Sequence, residues 1–137
     1  MMNIHDQGEV KIETEADIAV ARRAVRDLAS KIGFGITETA RIVTAVSELG
    51  RNVHKYAGSG VMQWHALRNG EDSGLKLRFE DHGPGIADVD EALREGYSTG
   101  GGLGMGLPGA KRLMDQLEIQ STLGRGTTVT VTKWRRR

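Results

Sequence analysis

Two pairs of strand-like segments in this chain are joined by turns too short for the backbone to cross a sheet, and nothing else in the sequence restricts the fold so tightly. In the first pair, Val61 to Arg68 leads through Asn69-Gly70-Glu71-Asp72-Ser73-Gly74, a hairpin-loop composition, into a cleanly alternating segment. There Leu75, Leu77 and Phe79 take one face, and Lys76, Arg78 and Glu80 take the other. Asp81 continues the apolar face, where a carboxylate is expensive unless something hydrogen-bonds it. In the second pair, Leu117-Glu118-Ile119 and Thr127 to Trp134 flank the turn Gly124-Arg125-Gly126. Strands connected this closely run antiparallel.

The remaining segments are mostly helical in period. Residues 8 to 13 alternate as a short first strand. From Asp17 to Ile32 the apolar positions Ile18, Ala21, Val25, Leu28 and Ile32 recur at steps of three and four, and Gly33 and Gly35 end the pattern. Thr37 is the expected N-cap of a second helix with Ile42, Val46, Leu49 and Val53 as its buried stripe, broken at Ala57-Gly58-Ser59-Gly60. Residues 86 to 95 suggest a short helix. Leu107 to Met114 form another, with Pro108 tolerable only near its start. The order β-α-α-β-β-α-α-β-β predicts an α+β fold, a two-layer sandwich. Its sheet is mixed but mostly antiparallel, with helices on one face, in one domain over residues 1–137.

Charge and composition narrow the function classes. Nineteen basic side chains against 18 acidic ones leave no overall footprint for nucleic acid or membrane. The one local excess, Lys133-Trp134-Arg135-Arg136-Arg137, reads as a solvated end. The chain has no cysteine, which excludes disulfides, zinc ribbons and thiol catalysis. With no apolar run suited to a signal peptide or a membrane span, the expected location is cytoplasmic.

Nineteen glycines against two prolines is the unusual ratio, and many of the glycines fall between Gly83 and Gly126. Five lie in the seven residues from Gly100 to Gly106, directly before a helix start. Exposed N–H groups and a helix dipole there suit phosphate. Gly104-Met105-Gly106-Leu107-Pro108-Gly109 satisfies G-x-G-x-x-G, yet no strand precedes it as a dinucleotide fingerprint requires, and no P-loop pattern is present. Asp81-x-Gly83-x-Gly85 either reads an exocyclic amine beside a flat base or is an ordinary turn with an Asx cap. Glu48, Asn52 and Lys55 share one helical face. They could supply a general base, a neutral metal ligand and a phosphate contact, or they could be a solvated face with Glu48 paired to Arg51 or Lys55. His54, His65 and His82 lack metal-ligand spacing, and Ser47, Ser59 and Ser98 lack a triad.

In this order, Glu48-x-x-x-Asn52, Asp81-x-Gly83-x-Gly85, Gly102-Leu103-Gly104-Met105-Gly106-Leu107 and Gly124-x-Gly126-Thr127 resemble the N, G1, G2 and G3 boxes of the GHKL, or Bergerat-fold, superfamily. That superfamily holds gyrase, Hsp90, histidine kinases and MutL. Within it the run Ala40 to Asn52, followed by Tyr56-Ala57-Gly58 and the ending from Gly126 to Trp134, is similar to the RsbT-type switch kinases of the stressosome. Anti-sigma kinases of the RsbW and SpoIIAB type usually carry His at the position of Tyr56, and a longer lid. The resemblance implies ATP and Mg²⁺ as cofactors, with Asn52 on the metal and Glu48 accepting the proton of the attacking hydroxyl. Asp81 would bind the adenine amine, with Gly83, Gly85 and Ile86 shaping the pocket and Thr127 or Thr128 supporting it. Gly102, Gly104, Met105, Gly106 and Leu107 would give backbone to the phosphates under a lid from Gly96 to Gly102, and Lys55 is a further phosphate candidate.

The implied reaction is serine or threonine phosphorylation of a small STAS-domain protein, after which the kinase leaves and activates a PP2C-type phosphatase. Phosphoryl transfer needs positioning and charge neutralisation more than covalent help. No arginine finger stands out, so slow turnover is expected. The competing readings are an anti-sigma factor that sequesters a sigma factor and phosphorylates its antagonist, a detached ATP-binding half of a histidine kinase, and nucleotide binding without turnover.

Overall fold

The computed structural model describes residues 7–93 and 106–135. Its elements are β1 (Gln7–Ile12), α1 (Glu15–Ile32), α2 (Ile36–Ala57), β2 (Gly60–Asn69), β3 (Asp72–Asp81), α3 (Val89–Ala92), α4 (Gly106–Leu113), β4 (Gln116–Thr122) and β5 (Gly126–Arg135). The five strands form one sheet in the order β1-β2-β3-β5-β4, and every neighbouring pair is antiparallel. The mixed character expected from the sequence is therefore displaced. β3 and β4 run the same way across their helical connection, but β5 turns back and inserts between them, a split βαβ arrangement.

Strand register lines up rows of side chains on the helix-bearing face. Val10, Met62, Phe79, Val129 and Ile119 form one row, and Trp64, Leu77, Val131 and Leu117 the next. Phe79, Met62, Leu77 and Val131 are fully buried against Ile18, Val25, Ile42, Val46 and Leu49 of α1 and α2. The helical stripe read from the sequence is thus the core contact, and removing this apolar area from water is the main stabilising term. α2 packs on both α1 and α4 as well as on the sheet, so it is the central helix of the layer.

Local chemistry sets the boundaries. Thr14 caps α1 in a capping box: its hydroxyl accepts from the Asp17 N–H at 3.3 Å, while the Asp17 carboxylate accepts from the Glu13 and Thr14 N–H groups at 2.9 and 3.0 Å. Gly33, with φ 105°, closes α1 in the left-handed region. Only Phe34 and Gly35 then separate the helices, and because Phe34 is buried, α2 begins at Ile36 with Gly35 as its cap. Thr37 accordingly lies inside the first turn and not at the N-cap. The β2–β3 turn is also tighter than its composition suggested. Asn69 pairs with Asp72, Gly70 takes φ 65°, and Gly74 is a strand residue opposite Trp134, whose ring occupies the space a Cβ would need.

The basic terminal stretch is structural as far as Arg135. Lys133 is only 5% exposed, the Trp134 N–H donates to Asp115 Oδ2 at 2.7 Å, and Arg135 Nε donates to the Gly33 carbonyl at 2.8 Å. The expected solvated end therefore does not hold for Lys133 to Arg135, because β5 continues through them and its odd-numbered side chains stay on the helix-bearing face.

Thr14→Ala is expected to lower stability by about 1 kcal/mol in urea denaturation. The backbone hydrogen bonds from Glu13 and then Thr14 hold the Asp17 carboxyl below its ordinary value of 3.8. Its stabilisation is therefore complete above that pH and lost as pH falls through the lowered value. The gap in denaturation midpoint between wild type and Asp17→Asn should close on acidification below pH 3.8.

Candidate functional site

At one end of the helix-bearing face the apolar rows give way to a polar one. Asp81 of β3 pairs with Gly60 of β2 on one side and Thr127 of β5 on the other, and Thr127 pairs with Ser121 of β4. Asp81 Oδ1 accepts from the Gly83 N–H at 2.9 Å and the Thr127 N–H at 3.2 Å. Among the described residues its Oδ2 makes no hydrogen bond. One carboxylate oxygen is thereby pinned by backbone while the other stays available to a donor. Ser121 Oγ lies 2.9 Å from Thr127 Oγ1 and accepts from the Ile86 N–H at 2.7 Å, tying the loop after β3 to the β4–β5 hairpin. The Gly124 N–H adds a bond to the Pro84 carbonyl at 2.9 Å.

Glycine makes this corner possible by letting protein backbone approach protein. A Cβ at Gly83 would come 2.7 Å from Ala57 Cβ at the end of α2, and one at Gly60 would come 2.6 Å from Val53 Cγ1. Gly85 has φ 81° with the Thr122 carbonyl 2.5 Å from its Cβ direction. Gly126, at φ 137°, faces the Asp81 carbonyl so closely that no side chain fits. These glycines press the last turns of α2, the loop after Asp81 and the hairpin together around the carboxylate.

Glu48, Asn52 and Lys55 lie on a defined flank of α2. Gly50 faces Ile18 of α1, with 3.4 Å from its Cβ direction to the Ile18 side chain. At about 100° per residue, Glu48 sits on the opposite flank, and Asn52 and Lys55 stand one and two turns above it. That flank is turned away from α1, and α2 packs on α4 as well. The Glu48 side chain is 17% exposed and pairs with Arg51 at 3.2 Å, the helix-surface pair allowed for in the sequence. The half-buried Asn52 side chain makes no hydrogen bond among the described residues. Lys55 is exposed, with Nζ 5.3 Å from the Tyr56 ring centre.

The other expected positions fall unevenly. Gly106 and Leu107 are the first residues of α4, and Leu107 packs against the core. Gly102, Gly104 and Met105, with the lid from Gly96, lie outside the described residues. Thr128 does not reach this corner: it pairs with Glu80 and Gln120, so by alternation its side chain is on the opposite face of the sheet. Of the two threonines only Thr127 shares the face of Asp81. Ser121 was missed by sequence reasoning, since only the β4–β5 register puts it beside Thr127.

Among the described residues no three His, Cys, Asp or Glu side chains could hold a metal ion together. A hard cation here would need an oxygen such as the Asn52 amide plus oxygens from a ligand, a donor set that fits Mg²⁺ with phosphates. Nor is any described helix long and apolar enough to cross a membrane.

The sheet is antiparallel throughout, carries its helices on one face and ends in a carboxylate pinned by backbone N–H groups. The family profile of the histidine kinase-like ATPase domain matches residues 12–133. The serine/threonine-protein kinase RsbT of Bacillus subtilis (strain 168) is 47% identical over 133 residues, covering 97% of this chain and all of that protein. The anti-sigma F factor of Thermoanaerobacter sp. (strain X514) is 34% identical over 120 residues, 83% of this chain and 82% of its own. The crystal structure of the RsbU and RsbW domains of a Mycobacterium tuberculosis protein superposes with a TM-score of 0.57 at 22% identity, over 94% of this chain and 33% of that one, and shares the fold. The chain belongs to the histidine kinase-like ATPase family and, within it, to the RsbT-like serine/threonine kinases.

Ser121→Ala should leave the Ile86 N–H without its acceptor and cost about 1 to 2 kcal/mol in chemical denaturation. Gly126→Ala should cost more, because strained backbone adds to the clash with Asp81.

Proposed function

We propose that this chain, as one ATP-binding domain over residues 1–137, uses Mg-ATP to phosphorylate a serine or threonine on a STAS-domain partner. On release it activates a PP2C-type phosphatase in a sigma-factor stress pathway. The observation that carries the reading is the carboxylate of Asp81, fixed through Oδ1 by two backbone N–H groups and open at Oδ2. That arrangement suits a donor such as the adenine amino group, in a chain 47% identical along its length to a serine/threonine kinase.

Each residue then has one task. Asp81 orients the base, with Gly83, Gly85, Ile86, Ser121 and Thr127 forming the wall behind it. The N-terminus of α4, at Gly106 and Leu107, turns N–H groups and the positive end of its dipole to the phosphates, with Gly102, Gly104 and Met105 preceding it. Lys55 is placed on the same flank as Asn52 for a further phosphate contact. The Asn52 amide oxygen would hold Mg²⁺, which neutralises phosphate charge when bound. Glu48 accepts the proton of the incoming hydroxyl, leaving its pair with Arg51 to do so. Its mostly covered position keeps the carboxylate near the crevice instead of in bulk water.

A second reading has a specific observation behind it, the 34% identity to proteins named as anti-sigma F factors. In that case the chain sequesters a sigma factor and phosphorylates its antagonist. Tyr56, in place of His, and the stronger identity to RsbT favour the first reading. Pull-down from the source cell separates them, since a phosphatase or a sigma factor should co-purify.

Glu48→Ala is expected to keep ATP affinity within about twofold while phosphate transfer to the partner falls by about 10²-fold or more. Asn52→Ala should lose the Mg²⁺-dependent part of ATP binding, measured by titration calorimetry with and without chelator. Transfer by Glu48→Ala at the wild-type rate would falsify the assignment of the base.

A further inference from the structure

The end of the sheet face opposite Asp81 carries a second charged group. Lys133 of β5 pairs with Leu75 of β3, so its side chain is on the helix-bearing face, where it is 5% exposed. Its Nζ donates to the carbonyl of Leu113, the last residue of α4, at 3.0 Å. The same Nζ lies 3.0 Å from Glu38 Oε2 in the first turn of α2 and 3.6 Å from Asp115 Oδ1 just after α4. Asp115 is held in turn by strand backbone: its N–H donates to the Thr132 carbonyl at 2.9 Å and its Oδ2 accepts from the Trp134 N–H at 2.7 Å. One buried ammonium therefore joins β5, the start of α2 and the end of α4.

Desolvating an ammonium is costly, and a methionine of similar length would fill the same space without that cost. What the charge adds is a link. It faces the negative end of the α4 dipole and ties the Leu113 carbonyl to Glu38 at the start of α2. α4 has eight residues and is about 12 Å long, so it moves as a short rod. Fixing its C-terminal end against α2 fixes where its other end, at Gly106 and Leu107, points relative to Glu48 and Asn52 on the same helix.

We propose that Lys133 is a positioning residue for the nucleotide triphosphate, acting at a distance through α4. This rests on the reading that the α4 N-terminus receives phosphate. Lys133 lies at the far end of the β3–β5 pairing from Asp81, and the base pocket at Asp81, Thr127 and Ser121 is built by bonds in which it has no part.

The discriminating quantity is the ratio of ATP affinity to adenosine affinity in the full chain, measured by calorimetry with Mg²⁺ present. Lys133→Met should weaken ATP by about tenfold while adenosine changes by less than about twofold. Glu38→Gln, which keeps the ammonium and its Leu113 bond, should shift the ratio in the same sense by a smaller factor, and serves if Lys133→Met does not fold. Lys133→Arg should recover part of the ratio. Equal weakening of both ligands, or an unchanged ratio in both variants, overturns the proposal, since a merely structural lysine would give that result. Failure of the underlying reading looks different: the wild-type chain itself would then bind ATP no better than adenosine.

Discussion

The structure turns on how closely the last turns of α2 can approach the sheet. Val53 and Ala57 press into the spaces left by Gly60 and Gly83, where any side chain would be within 2.7 Å of them. Without that approach α2 would ride higher on the sheet. The flank carrying Glu48 and Asn52 would then be lifted away from the level of Asp81. Two absent Cβ atoms thus do what no favourable contact could, because protein interiors resist even one misplaced methyl group.

A second constraint is the insertion of β5 between β3 and β4. It makes every neighbouring pair antiparallel, and it brings the Thr127 N–H from β5 to the carboxylate at the end of β3. The sheet face then ends in polar groups that satisfy each other. Among the described residues one carboxylate oxygen, Asp81 Oδ2, is left without a hydrogen bond. Most polar groups inside a protein are paired, which sets this oxygen apart.

The sequence disclosed those parts of the fold that depend on local period. The stripe Ile42, Val46, Leu49 and Val53 is buried as its spacing required, and the alternation of Leu75, Leu77 and Phe79 matches the observed faces. What depends on pairing was not legible. Thr127 and Thr128 are indistinguishable until β5 is set in register with β3, and Ser121 has no role until β4 is set in register with β5. Gly74 looked like loop because its partner Trp134 is 60 residues away in sequence. Lys133 looked solvated because three arginines follow Trp134 beside it, whereas strand parity carries it inward. Of the candidate site, the helical pair Glu48 and Asn52 and the strand-end carboxylate could be picked out from residue types; the bonds that hold the carboxylate could not.

The opposite charges at the two ends of the β3–β5 pairing, Asp81 on β3 and Lys133 on β5, also act as a ruler. Hydrophobic alternation repeats every two residues, so a strand that slides by two against its neighbour still buries apolar groups and goes undetected by the core. Such a slide would carry Asp81 away from the Thr127 N–H and Lys133 away from the Leu113 carbonyl, stranding both charges at once. The alignment of β3 with β5 is specified at its two extremities, and the apolar rows between need only fill space.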